Sequence, residues 1–172
     1  MKDSNFRLLI AVILFIALSL ALIQFSHSQN GVYLSVSQDV KHATYDEDAF
    51  RLNLLGRVKL EGFQQKYGYI LVAPSFEYAD LKEAPFTRFS FDVGYVFNKL
   101  FIKNLEVSGT AGWGFIQRGD SFSYASWSFV GDIGYVIVEN RFKIVLEGQF
   151  TERSDIGKWV PSTFLGIEVK LF

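Results

Sequence analysis

The chain has no cysteine among its 172 residues, which excludes disulfides, thiol catalysis and thiolate metal sites. Charge is scarce as well: Asp, Glu, Lys and Arg make up 20% of the sequence, and the formal net charge is -1. Without a basic excess, nothing in the balance points to nucleic acid or to anionic lipid. A glycine-rich phosphate loop, a zinc-ligand spacing and a nucleophile elbow are also missing. No catalytic residue, metal or cofactor is therefore expected. What the chain does have is apolar and aromatic: 49% hydrophobic residues, with 18 Phe, 8 Tyr and 3 Trp. That is aromatic-rich for a soluble domain, in a length that suits one domain behind a leader.

The leader is the first 28 residues. Lys2 and Arg7 flank a short N-terminal stretch, and Leu8 to Leu22 is apolar except at Ser19. Ser26 and Ser28 then supply the small residues that a signal peptidase needs, so cleavage is expected between Ser28 and Gln29. An uncleaved transmembrane helix is the alternative, since Leu8 to Phe25 is nearly long enough to span. An exported chain without cysteine must be held together by its sheet.

From Val32 onward, every second residue is apolar, and the pattern recurs about eight times with turn signals between copies. Phe50 to Glu61 is the clearest copy: Leu52, Leu54, Val58 and Leu60 alternate with Arg51, Asn53, Arg57 and Lys59. A period of two is a β-strand with a different chemistry on each face. The tight connections are expected at Gln64 to Lys66, Asn98-Lys99 and Glu139-Asn140. Longer polar ones are expected at Lys41 to Asp48, Asp80 to Pro85, Gln117 to Ser121 and Glu152 to Lys158. An all-β, up-and-down antiparallel barrel is written this way. Pro74 falls inside the third strand, where a bulge or a local break is expected.

Alternation does not say which face points out, because a lipocalin-like soluble barrel also alternates. The polar phase decides. It mixes Arg57, Lys59, Glu77, Arg88, Asp92, Glu106, Asp132, Lys143, Glu147, Glu168 and Lys170 with many Ser, Thr and Gly. A narrow lumen needs small residues and charges that neutralise one another, whereas a solvent face would carry more Lys and Glu. Aromatics also gather at strand ends. Tyr78, Phe86, Trp113, Phe115, Phe150 and Trp159 lie toward the long loops, and Tyr95, Phe97, Tyr135 and Phe142 toward the tight turns. Two such bands suit two membrane interfaces. A sheet in lipid must close to pair all its amides, and strands of about 9–11 residues cross at a tilt.

On these features, over Gln29 to Phe172, the chain resembles the small eight-stranded outer-membrane barrels of Gram-negative bacteria, the OmpX and OmpA transmembrane-domain type. The resemblance implies residence in the outer membrane and passage through the barrel-insertion machinery. It also implies an envelope-stabilising, adhesive or host-interacting role, with outer-membrane lipid and an envelope protein complex as partners. The chain departs from the pattern at Phe172, which falls in the polar phase of the last strand, and its outer loops are short.

The remaining chemistry is thin. Past the leader the sole histidine is His42, in the first long loop. The outer-membrane lipid A palmitoyltransferase is a similar barrel with loop His, Asp and Ser. Here His42 and Asp80 are present, but Leu81 follows Asp80 and no amphipathic helix precedes the first strand. Arg118-Gly119-Asp120 is an integrin-type tripeptide, but Gly and Asp are equally what a turn requires. The expectation is a non-enzymatic barrel with a side-chain-plugged lumen. The competing readings are a narrow ion or solute channel, a lipid-modifying enzyme, and a soluble ligand carrier.

Overall fold

A computed structural model describes residues 31–41, 52–80, 85–98, 102–139 and 141–171. The expected leader, His42, Leu81 and Phe172 lie outside them. The strands are β1 (Val32–Asp39), β2 (Asn53–Gln64), β3 (Gly68–Ala79), β4 (Phe86–Phe97), β5 (Leu105–Arg118), β6 (Ser121–Val138), β7 (Phe142–Arg153) and β8 (Lys158–Lys170). Each pairs antiparallel with its neighbour in sequence, and β1 pairs with β8, so the sheet closes into a barrel. The all-β up-and-down expectation holds.

The register shows the stagger that closure requires. The row of paired residues that begins at Val32 runs through Leu60, Val72, Val93, Ala111, Phe129 and Phe150 to Pro161. It starts at the first residue of β1 and ends near the opposite end of the barrel, so the strands are tilted to the axis. Pro161 lies where β8 has outrun its pairing with β1, which stops at Phe164 opposite Asp39. Its missing N–H therefore breaks no rung on that side.

Pro74 is a local break without a bulge. Arg57 pairs with Ser75 and Leu60 with Val72, while Val58 and Lys59 between them form no ladder pair with Pro74 and Ala73. The count is equal on both strands, so no residue is displaced. On its other side Pro74 stays in register opposite Phe91. The missing proline donor thus falls on the β2 side.

The expected tight and long connections do not all hold. The turn expected at Asn98-Lys99 spans the whole interval from Phe97 to Leu105, with Asn104 in the left-handed region at φ 66. Conversely, the loop expected over Gln117 to Ser121 shrinks to Gly119 and Asp120, because β5 and β6 continue to a final pair, Arg118 with Ser121. Gly119 has φ 55, so the tripeptide's glycine serves the turn. Likewise, β7 and β8 extend into the stretch expected to be loop, leaving a turn between Arg153 and Lys158.

Candidate functional site: the lumen and the two rims

The polar phase points inward. Arg57, Lys59, Glu77, Arg88, Asp92, Asp132, Lys143, Glu147 and Glu168 are all buried, and Glu106 is half-buried near the turn end. Their bonds form separate groups. Lys143 Nζ lies 2.6 Å from Glu106 Oε2 and 2.8 Å from Glu168 Oε1. Glu168 in turn holds Lys59 Nζ at 2.8 Å, and Lys59 reaches Asp132 at 3.2 Å. This chain of alternating charge links β2, β5, β6, β7 and β8. Ser108 Oγ adds a hydrogen bond to Asp132 at 2.7 Å.

A second group sits at mid-barrel. Arg57 Nη1 meets Glu147 Oε2 at 3.0 Å, and Arg57 Nη2 lies 3.4 Å from Asp92 Oδ2. Ser75 Oγ donates to the same Asp92 oxygen at 2.6 Å. Glu77 of β3 and Arg88 of β4 stand in register, yet each bonds to neutral groups. Arg88 donates to Ser90, Ser126 and Ser128 at 2.9, 3.2 and 2.8 Å. Glu77 accepts from Gln149 Nε2 at 3.0 Å. The small residues of this phase make the arrangement fit. A Cβ on Gly112 would collide with the Asp92 carboxylate, and one on Gly114 with the backbone of Phe89.

The lumen also holds apolar side chains that the alternation gave no reason to expect. Leu55, Leu71, Ile116, Val145 and Phe164 are buried in the polar phase. Phe86, assigned from sequence to an interface band, is instead 2% exposed and packs with Ala79 and Ile116. The Arg153 guanidinium lies 4.0 Å above its ring. The error has a simple source: Phe86 begins β4 in phase with Arg88, so it faces the lumen, and its size plugs the loop end. Inside the barrel, a cavity bordered by Lys59, Asp132 and Glu168 measures about 10 Å³. That is room for about one water.

The apolar phase points outward. Leu34, Val36, Phe91, Val93, Ile133, Ile144, Leu146 and Leu165 are exposed. Of the expected aromatic bands, Trp113, Phe115 and Trp159 lie outside toward the loop end, and Phe97 and Tyr135 toward the turn end. Tyr78, Tyr95 and Phe142 share that phase and are half-buried. Neighbours on one face pack: Trp113 with Phe115 at 4.6 Å, Tyr95 with Phe97 at 4.7 Å, and Trp159 with Phe150 at 5.2 Å. The turn-end band also contains Phe63, which is 77% exposed, and Tyr67. Phe63 has the parity of the lumen residues. The register shift between Glu61 and Gln64 turns it out, a change that alternation could not show.

At the loop rim, Arg153 donates to both oxygens of Asp155 at 2.8 and 2.7 Å, and Arg118 Nη1 lies 3.8 Å from the same carboxylate. The arginine of the tripeptide is thus tied back to the β7–β8 turn. At the other rim, a cavity of about 210 Å³ is lined by Tyr33, Asn98, Asn104, Glu106, Glu139, Arg141 and Lys143.

Several solved structures resemble this one. Ail of Yersinia pestis in a phospholipid nanodisc matches at a TM-score of 0.56 and 18% identity, covering 83% of this chain and 100% of that one. The crystal structure of Ail, the attachment invasion locus protein of Yersinia pestis, gives 0.51 at 15% identity, covering 83% and 97%. The outer membrane enzyme PagL gives 0.49 at 13% identity, covering 81% and 98%. No family model and no curated protein matches the chain. By fold, the chain is a closed eight-stranded antiparallel up-and-down barrel similar to that of Ail.

Proposed function

We propose that the protein is a non-enzymatic barrel of the Gram-negative outer membrane whose lumen is plugged by its own side chains. Its role is structural, envelope-interacting or surface-binding. The observation that carries this reading is the opposition of the two phases on one closed sheet. Val93 and Leu146 face out uncovered while Asp92 and Glu147, one residue away on the same strands, are fully buried and hydrogen-bonded to charge or hydroxyl. Only a lipid solvent makes that inversion favourable, because in water the exposed apolar belt would be costly. The lumen pairs then act as a polar core, holding opposite walls together where a soluble protein would use apolar packing.

In this reading the protein's partners are outer-membrane lipid, the insertion machinery during assembly, and an envelope protein complex. The turn end, opposite the rim that carries the long β1–β2 connection between Asp39 and Asn53, faces the periplasm. The non-enzymatic part rests on the sequence, where Asp80 lacks the following serine of the palmitoyltransferase pattern. The fold alone does not decide it. Fractionation with heat-modifiable gel migration tests the membrane part, and recovery in the soluble periplasm would contradict it. Planar-bilayer recording tests the plug: silence is expected, and steady ion-selective openings would contradict it. A lipid A profile unchanged by the protein is expected, and an altered one would establish enzyme activity.

A further inference from the structure

The cavity at the turn end is far roomier than the one beside Lys59, at about 210 Å³ against about 10 Å³. Its floor is the Glu106–Lys143 pair, and Lys143 is further held by Glu168 and lies 4.3 Å from the Tyr33 ring. Around the cavity wall the matching stops. Glu139 and Arg141, on the β6–β7 turn, line the cavity with opposite charge, and their side chains form no ion pair among the described residues. The Asn98 side-chain carbonyl is enclosed and accepts no hydrogen bond there. Enclosed acceptors are normally satisfied, so this oxygen calls for a donor.

We propose that this cavity is a binding site for an amino-acid-sized zwitterion, a group carrying an ammonium and a carboxylate, such as a free amino acid or a short peptide. Arg141 takes the carboxylate, because a guanidinium matches its geometry and stays charged. Glu139 and the Asn98 carbonyl take the ammonium, the donor that the carbonyl lacks. Asn104, held at φ 66, presents its amide from the β4–β5 side. The size agrees. At about 210 Å³ the cavity falls below the pockets of drug-sized ligands, which run from about 300 Å³ upward. The Glu106–Lys143 floor ends it short of the lumen, so it is a dead-end pocket and not the mouth of a pore. With the turn end in the periplasm, the ligand comes from that compartment. The site itself stands whether or not the outer loops bind anything.

The test uses the full barrel in phospholipid nanodiscs, titrated with alanyl-alanine and followed by backbone NMR. Saturable shifts at Asn98, Asn104 and Arg141 are expected. N-acetyl-alanyl-alanine and alanyl-alanine amide, each missing one charge, should bind at least tenfold more weakly. Arg141→Gln should abolish the preference for a carboxylate and Glu139→Gln the preference for an ammonium, both with wild-type gel migration and fold. Shifts that never saturate, or equal binding of the blocked peptides, would overturn the proposal. So would an Arg141→Gln protein that binds as the parent does.

Discussion

Arg57 of β2 and Glu147 of β7 come from different sides of the barrel, 90 residues apart in sequence, and meet at 3.0 Å with neither exposed to solvent. Asp92 of β4 shares the guanidinium at 3.4 Å. Removing the arginine leaves two carboxylates buried without a base. Arg57→Met should therefore cost about 3–5 kcal/mol in urea unfolding from bilayers. Adding Glu147→Leu should restore part of that, since a buried pair replaced whole is far less harmful than a pair broken. Additive losses would show that the pair is not coupled.

Two glycines on β5 make opposite predictions. A Cβ at Gly112 meets the Asp92 carboxylate and lies 2.8 Å from Ser128 Oγ, whereas a Cβ at Gly109 on the outer face has nothing within 4 Å. Gly112→Ala should destabilise the barrel by about 1–3 kcal/mol through overpacking. Gly109→Ala should stay within about 0.5 kcal/mol of the parent. Thermal midpoints of gel-migration heat modification separate them.

Depth should grade the outer face. Leu146 lies midway along β7 opposite Ile133, and Ile102 sits on the β4–β5 turn. Leu146→Arg should cost about 2–4 kcal/mol and Ile102→Arg about 0–1 kcal/mol, measured by unfolding from bilayers. Equal costs would contradict a lipid belt.

The loop rim should respond to acid. Partial burial pushes the Asp155 carboxyl up, but the Arg153 hydrogen bonds and charge outweigh it, and Arg118 adds to them, leaving it below the usual carboxylate range. A lowered folded value adds stability above the unfolded carboxylate value, near 3.9, and that stability is lost as pH falls through the folded value. At the rim the contribution should be about 1 kcal/mol or less. Asp155→Asn should remove this acid-sensitive part of the unfolding profile and leave the neutral-pH fold intact.

The period of two carried most of the architecture, because one residue step on a strand switches a side chain between the outer face and the lumen. It placed Arg57, Glu147 and Trp113 on their proper faces. It failed where the backbone leaves the period. Phe63 is turned out by the irregularity after Glu61, and only cross-strand pairing reveals that slip. It failed again over Gln117 to Ser121, where polar composition suggested a loop but pairing between β5 and β6 persists to Arg118 and Ser121. Phe86 was misplaced because the size of a residue suggested an interface while its parity pointed inward. The turn-end cavity was not legible at all. Asn98 belongs to the β4–β5 connection and Glu139 and Arg141 to the β6–β7 connection, which the antiparallel order of β4 to β7 brings to one rim.

The central claim is that alternate residues of one strand face lipid and a packed polar core. The absence of cysteine makes every introduced thiol unique, so nitroxide labels can be placed one at a time along β7 from Lys143 to Phe150 in the bilayer-embedded protein. Oxygen accessibility should alternate, high at Ile144, Leu146 and Phe150 and low at Lys143, Val145, Glu147 and Gln149. A flat profile, or one with the two phases exchanged, would contradict the account.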